Sequence, residues 1–209
     1  MCPYLVIRPG VSTRMALAVD GGTVSNKTRQ ALRKALVALM KQQDFSRIQV
    51  KDVVEQAGIA RATFYLHFKS KEELLLDYID EMFETFFERI EADLIDASAL
   101  DERVATRVFE TFYAEKDFSA VLTQESVQPL LMNRFRGYMA RIIGHMLRET
   151  RGFSPPASQL DYLISFWAGG SLLLIRQWVA NDFQPSEEEM GQMYSKLTLS
   201  GMRALMEQV

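Results

Sequence analysis

The chain has 209 residues, 48% of them apolar and 24% charged, the composition of an ordinary globular protein of one or two domains. Its single cysteine, Cys2, excludes an intrachain disulfide, and its two histidines, His67 and His145, are too few for the Cys/His clusters of structural zinc or iron–sulfur sites. Neither metal nor cofactor is expected, and the setting is read as reducing and cytoplasmic.

The net charge of −3 is unevenly spread. Residues 26–71 hold ten Lys/Arg against Asp44, Asp52 and Glu55, a charge of +7, whereas residues 72–209 carry −11. A small basic head on a large acidic body is the pattern of a polyanion-binding module joined to something with another task. A chance excess of cations on solvated helix faces would give the same numbers, so the decision falls to motifs.

Taken in chain order, residues 1–25 carry Arg8 and Arg14 without a continuous apolar run, and read as a loose leader rather than a signal peptide, with Met15 as a second possible start. Ala31, Leu32, Ala35, Leu36, Leu39 and Met40 then lay an apolar stripe along a helix over about 26–43, ended by Asp44. Val50, Val53, Val54 and Ala57 predict a two-turn helix that stops at Gly58, a residue suited to the left-handed closing position. A short aromatic helix over 59–68 follows. Ser70 and Glu73 form a capping box that opens a long helix, with Leu75, Ile79, Met82, Phe83, Phe86, Ile90 and Leu94 on one face to about Ser98.

Further helices are predicted near 101–116, 118–123 and 126–150, the last broken by Gly152, Pro155 and Pro156. Residues 158–181 are apolar on nearly every face, as in a helix buried on both sides; the run from Tyr162 stops at Arg176, short of a membrane span. A final helix opens at the capping box Ser186 to Glu189. No segment alternates with period two, so the fold class is all-α: a three-helix head over 26–71 and a six-helix body over 72–209.

Two short helices joined at Gly58 and held against a preceding helix have the form of a helix-turn-helix, whose second helix enters the DNA major groove. The run Val50 to Leu74, with its Ala57-Gly58 turn, Tyr65-x-x-Phe68 and Ser70-Lys71-Glu72-x-Leu74, closely resembles the DNA-binding signature of the TetR family of bacterial regulators. The resemblance covers about residues 26–77. More loosely, residues 109–195, including Trp178 to Glu189, resemble a subgroup that contains the regulator of dihydroxyacetone-kinase operons. It implies a homodimeric regulator, in this family usually a repressor, whose partners are a double-stranded DNA operator and a small-molecule ligand.

Phe64 and Phe68 share one face and would lock the reading helix, leaving Arg61, Thr63, Tyr65, Leu66 and His67 toward the groove. By the resemblance, Thr63, Tyr65 and His67 donate to phosphates, and Lys71 meets the backbone from the start of the fourth helix. Arg61 and Gln49 have the chemistry for base edges, and Lys51 for either role. The alternatives are a phosphate clamp for Arg61, a structural tyrosine at 65 and a packing or capping histidine at 67. Two residues depart from the family pattern: Ala60 stands where Ser or Thr caps the reading helix, a loss of roughly 1 kcal/mol, and Gln49 stands where Thr opens the second helix.

In the body, Phe109, Phe112, Tyr113, Phe135, Tyr138, Met139, Met146, Tyr162 and Phe166 suit either an apolar ligand pocket or plain core, with Gln128, Asn133, Arg136, His145 and Arg176 as candidate orienting groups. The last two helices are expected to pair with a second copy as a four-helix bundle through Trp167, Gly170, Leu174, Trp178, Met193, Leu197, Gly201 and Ala204. No nucleophile elbow, phosphate-cradling glycine loop or paired metal histidines are present, which argues against an enzyme. The competing class is a DNA-binding accessory factor controlled by a protein partner or by no ligand. An internal cavity would favour the regulator, and a collapsed aromatic core the accessory factor.

Overall fold

The computed structural model describes residues 21–95, 102–116, 121, 123–149 and 156–206, with side chains over 25–89, 102–116, 121, 123–144, 156 and 159–198. Most of the expected leader, most of the helix expected at 118–123, and the side chains of His145, Met146, Gly201 and Ala204 lie outside the described residues. Among the described residues eight α-helices follow in order: α1 Gly21–Met40, α2 Val50–Ala57, α3 Arg61–His67, α4 Lys71–Ile95, α5 Glu102–Ala114, α6 Gln128–Glu149, α7 Ala157–Ala180 and α8 Glu187–Met206. Short 3₁₀ turns stand at Phe45–Arg47 and Glu125–Val127, and no strand occurs among the described residues.

Helix α1 begins inside the expected leader and ends at Met40, the last residue of its stripe and short of the bound expected near 43. Asp44 does not close it. Its carboxylate accepts from the Ser46 amide at 2.9 Å and so opens the 45–47 turn, the common role of an aspartate that outcompetes helix continuation. Gly58 does close α2, at φ 65°, where any side chain would be strained. Leu32, Leu36, Phe45, Ile48, Val53, Phe64, Phe68, Leu74, Leu75 and Ile79 converge as the core of the head. Beside that core α1 is fastened to α4 by charge: Arg29 pairs with Asp77, and the buried Arg33 pairs with both Asp77 and Glu81.

Farther along, α4 turns Met82, Phe83 and Phe86 into the body, where Phe86 meets Phe112 at 4.5 Å between ring centroids and Phe83 stacks on Tyr138 at 4.9 Å. By length and composition α7 is apolar enough to cross a membrane, over a longer stretch than the run from Tyr162 to Ile175 suggests. In this fold its Trp167, Leu172, Ile175 and Trp178 face packs into the body. Helix α8 opens with a complete capping box: Ser186 Oγ accepts from the Glu189 amide, and Glu189 accepts from the Ser186 amide.

Helices α5 and α8 approach closely at Gly191, where an added Cβ would lie 2.6 Å from Thr106 Cα. Alanine in an open helix gains about 1 kcal/mol over glycine, but here relief requires backbone movement. Gly191→Ala is therefore expected to destabilise the body by about 2 kcal/mol in denaturant unfolding. An unchanged or raised midpoint would show that α5 and α8 part without cost.

Candidate DNA-binding interface and regulatory body

The reading helix is built from behind. Phe64 and Phe68 are buried with ring centroids 5.9 Å apart, and Phe64 meets Tyr65 edge-on at 5.4 Å. What remains outward is Arg61, Ala62, Tyr65 and Leu66, with Thr63 and His67 half-buried at its margins. Leu66 is 82% exposed, unusual for a leucine in so short a helix. The Arg61 guanidinium lies 5.7 Å from the Tyr65 ring centroid and donates to its hydroxyl at 3.4 Å. The two side chains thus form one exposed unit, and a base or phosphate role for Arg61 carries Tyr65 with it. Gln49 and Lys51 are exposed at the start of α2.

Two of the head's three acids, Asp44 and Asp52, are used locally, as is Glu73 of α4. Asp52 accepts from the Gln49 amide at 2.8 Å, and Glu73, at the start of α4, accepts from the Lys69 amide at 2.6 Å. Asp44 is held below its ordinary pKa, first by the Ser46 hydroxyl and then by the Ser46 amide. Each carboxylate sits at a helix or turn N-terminus, where backbone dipoles favour it, and the cations of α2 and α3 face outward. Ala60 provides no side-chain cap for α3.

Lys71 is placed differently from the expectation. Its Nζ donates to the carbonyls of Phe45 at 2.7 Å, Ile48 at 2.7 Å and Ser46 at 3.2 Å, and stands 4.5 Å from the Phe45 ring centroid. Three carbonyls satisfy an ammonium's three donors, so Lys71 ties α4 to the 45–47 turn instead of standing free for phosphate. Lys71→Ala is expected to lower the head's stability by about 1.5–3 kcal/mol, the range for bonds to a charged donor, without altering the salt slope of DNA affinity. A slope reduced by about one unit would return Lys71 to the phosphates.

In the body, Phe109, Phe112, Phe135, Tyr138 and Met139 are buried together, and burial pushes the Tyr138 hydroxyl well above its ordinary pKa. Three expected pocket residues are elsewhere: Tyr162 is 78% exposed, Phe166 72%, and Tyr113 stands at the surface beneath Lys116. Conversely, Trp167 and Trp178, expected at a dimer seam, are buried within one chain, Trp178 against Phe109 and Phe183 at 5.2 and 5.0 Å. The stripe shows that α7 has two apolar faces; it does not show which of them meets its own body. Leu174 is half-buried on the same core, Gly170 is exposed, and Met193 and Leu197 are exposed on α8.

The polar candidates also have partners. Arg136 pairs with Asp161, Arg176 with Glu125 at 2.7 Å, and Gln128 Nε2 donates to the Gln124 carbonyl at 3.1 Å; Asn133 is exposed. Two features escaped sequence reasoning. The Arg29/Arg33 and Asp77/Glu81 pairs, each spaced by four, carried a legible signal of facing charge stripes. Gln124 carried none.

An exposed arginine–tyrosine unit on a helix locked from behind, in the most basic part of an acidic chain, marks a helix-turn-helix DNA-binding protein. Residues 32–78 match the bacterial regulatory proteins of the tetR family, and residues 102–200 match a transcriptional regulator C-terminal region. The chain belongs to the TetR family of transcriptional regulators, and its relatives are regulators, not enzymes. It is 31% identical over 110 residues to the helix-turn-helix-type regulator YerO of Bacillus subtilis, a stretch that covers 50% of this chain and only 38% of that protein.

Among solved structures, a TetR regulator from Streptococcus agalactiae shares the fold at TM-score 0.62, with 24% identity over 85% of this chain and 96% of that one. FadR of Bacillus subtilis, solved in complex with stearoyl-CoA, matches at TM-score 0.61, with 22% identity over 82% and 98%. The dihydroxyacetone kinase operon activator DhaS also shares the fold, at TM-score 0.56, with 16% identity over 85% and 97%.

Proposed function

We propose that the chain acts in the cytoplasm as a homodimeric repressor that binds a near-palindromic operator and is released by a mainly apolar small molecule. The observation that carries this reading is α4. One continuous helix holds the head through Asp77 and Glu81 and, within two turns, presents Met82, Phe83 and Phe86 to the aromatic body. A ligand that prefers one position of α4 in the body thereby prefers one position of the head, which is all that coupling requires. The groups proposed to meet DNA are Gln49, Lys51, Arg61, Thr63, Tyr65, Leu66 and His67. The exposed face of α7 and α8, with Tyr162, Phe166, Leu173, Met193 and Leu197, is the proposed dimer seam.

The stearoyl-CoA captured by the FadR neighbour makes long-chain acyl-CoA the first probe. If its binding weakens operator affinity tenfold, a coupling of about 1.4 kcal/mol, the operator must weaken acyl-CoA binding by the same factor. Titration of stearoyl-CoA with and without the palindrome the chain selects from a random duplex pool tests this. Equal affinities for a probe that demonstrably fills the body would favour the second reading, an accessory DNA-binding factor. That reading draws its support from the close ring contacts among Phe83, Phe86, Phe112 and Tyr138.

A further inference from the structure

The turn before α6 reaches out of the body into the head, most extensively through the side chain of Gln124. Gln124 Nε2 donates to Met40 O at 2.7 Å and to Gln43 O at 3.3 Å, carbonyls left open where α1 ends. Its Oε1 accepts from the Phe45 amide at 2.8 Å. One carboxamide thus satisfies three backbone groups of the α1–α2 connection from about eighty residues away in sequence. The turn that carries it is itself anchored. Gln128 holds the Gln124 carbonyl, Glu125 pairs with Arg176 of α7, and Val127 is fully buried in the body. Arg176 stands one turn from Leu173, beside the exposed apolar face of the same helix.

Apart from this turn, where Ser126 also approaches the Asp44 carboxylate, the described junction of head and body runs through α4, with the Arg29 and Arg33 pairs lying along that same helix. A single helical junction leaves rotation about its axis to be resisted only by packing, whereas a second attachment off the axis fixes the angle. We infer that Gln124 is a positioning residue that sets the orientation of the head relative to the dimer helices, and thereby the half-site spacing the chain accepts. The inference rests on the proposed dimer bound to a spaced palindrome. Adding or removing one base pair between half-sites turns one of them by about 35° about the duplex axis, so a fixed head angle rejects the shifted site.

The test uses the full chain as wild type, Gln124→Ala and Gln124→Glu, the last keeping an acceptor for the Phe45 amide while losing the donors to Met40 and Gln43. Affinities are measured for the selected palindrome, for versions with one base pair more or fewer in the spacer, and for a single half-site. Both variants are expected to lose at least about tenfold of the wild-type preference for native spacing, roughly the worth of one such clasp, while half-site affinity changes less than about twofold. Wild-type spacing preference in both variants overturns the inference. Equal losses on every duplex also overturn it, because Gln124 would then only support the fold of the head. A wild-type chain indifferent to spacing defeats the dimer reading itself, and the inference with it; that failure is read without the variants.

Discussion

A chain carrying Phe166→Glu and Leu197→Glu is expected to sediment as a folded monomer and to bind its palindrome at least about a hundredfold more weakly, because one head then binds without the linked second head. Tyr162, Phe166 and Leu173 stand on one side of α7 at 78%, 72% and 60% exposure, and Leu197 on α8 at 64%. A contiguous apolar face of this kind is uncommon on a monomer. Each new carboxylate would have to be desolvated at the seam, at several kcal/mol per ion, and a twofold interface repeats the cost. Within one chain both positions are exposed, so the substitutions should leave its own fold intact. A variant that remains dimeric places the seam elsewhere.

Phe64→Ala is expected to abolish DNA binding by unfolding the head while dimerisation persists. Phe64 is fully buried in the core of the head, and truncation of such a ring costs about 3–5 kcal/mol. For a module of some fifty residues that is a large share of total stability. Leu66→Ala, two residues along the same helix, removes a side chain that is 82% exposed and is expected to leave stability within about 0.5 kcal/mol while lowering operator affinity. Thermal unfolding with a head-specific probe separates the two. Equal midpoints for both variants would mean that Phe64 does not hold the reading helix.

The helices and the helix-turn-helix were legible in the sequence because their signals are local. A Gly58 closing α2, a Ser70 hydroxyl accepting from the Glu73 amide and phenylalanines four apart act through neighbours in the chain, although Glu73 turns to the Lys69 amide and leaves the expected capping box half formed. The placement of Lys71 was not legible. A lysine at a helix start serves a phosphate or three carbonyls equally well, and the choice depends on how the 45–47 turn folds back. The faces of α7 were exchanged for a similar reason: Trp167 and Phe166 are adjacent in sequence and equally apolar, and only the way α7 lies on its own body decides which is covered. Gln124 was invisible because its partners are backbone atoms, which carry no residue-specific signal.

The stoichiometry of the chain on its selected palindrome tests the central claim most directly. Native mass spectrometry of the complex at modest salt is expected to show two chains per duplex, with a single half-site duplex bound far more weakly. One chain saturating a full palindrome with undiminished affinity would contradict the proposal that two heads, set by one seam, read the DNA together.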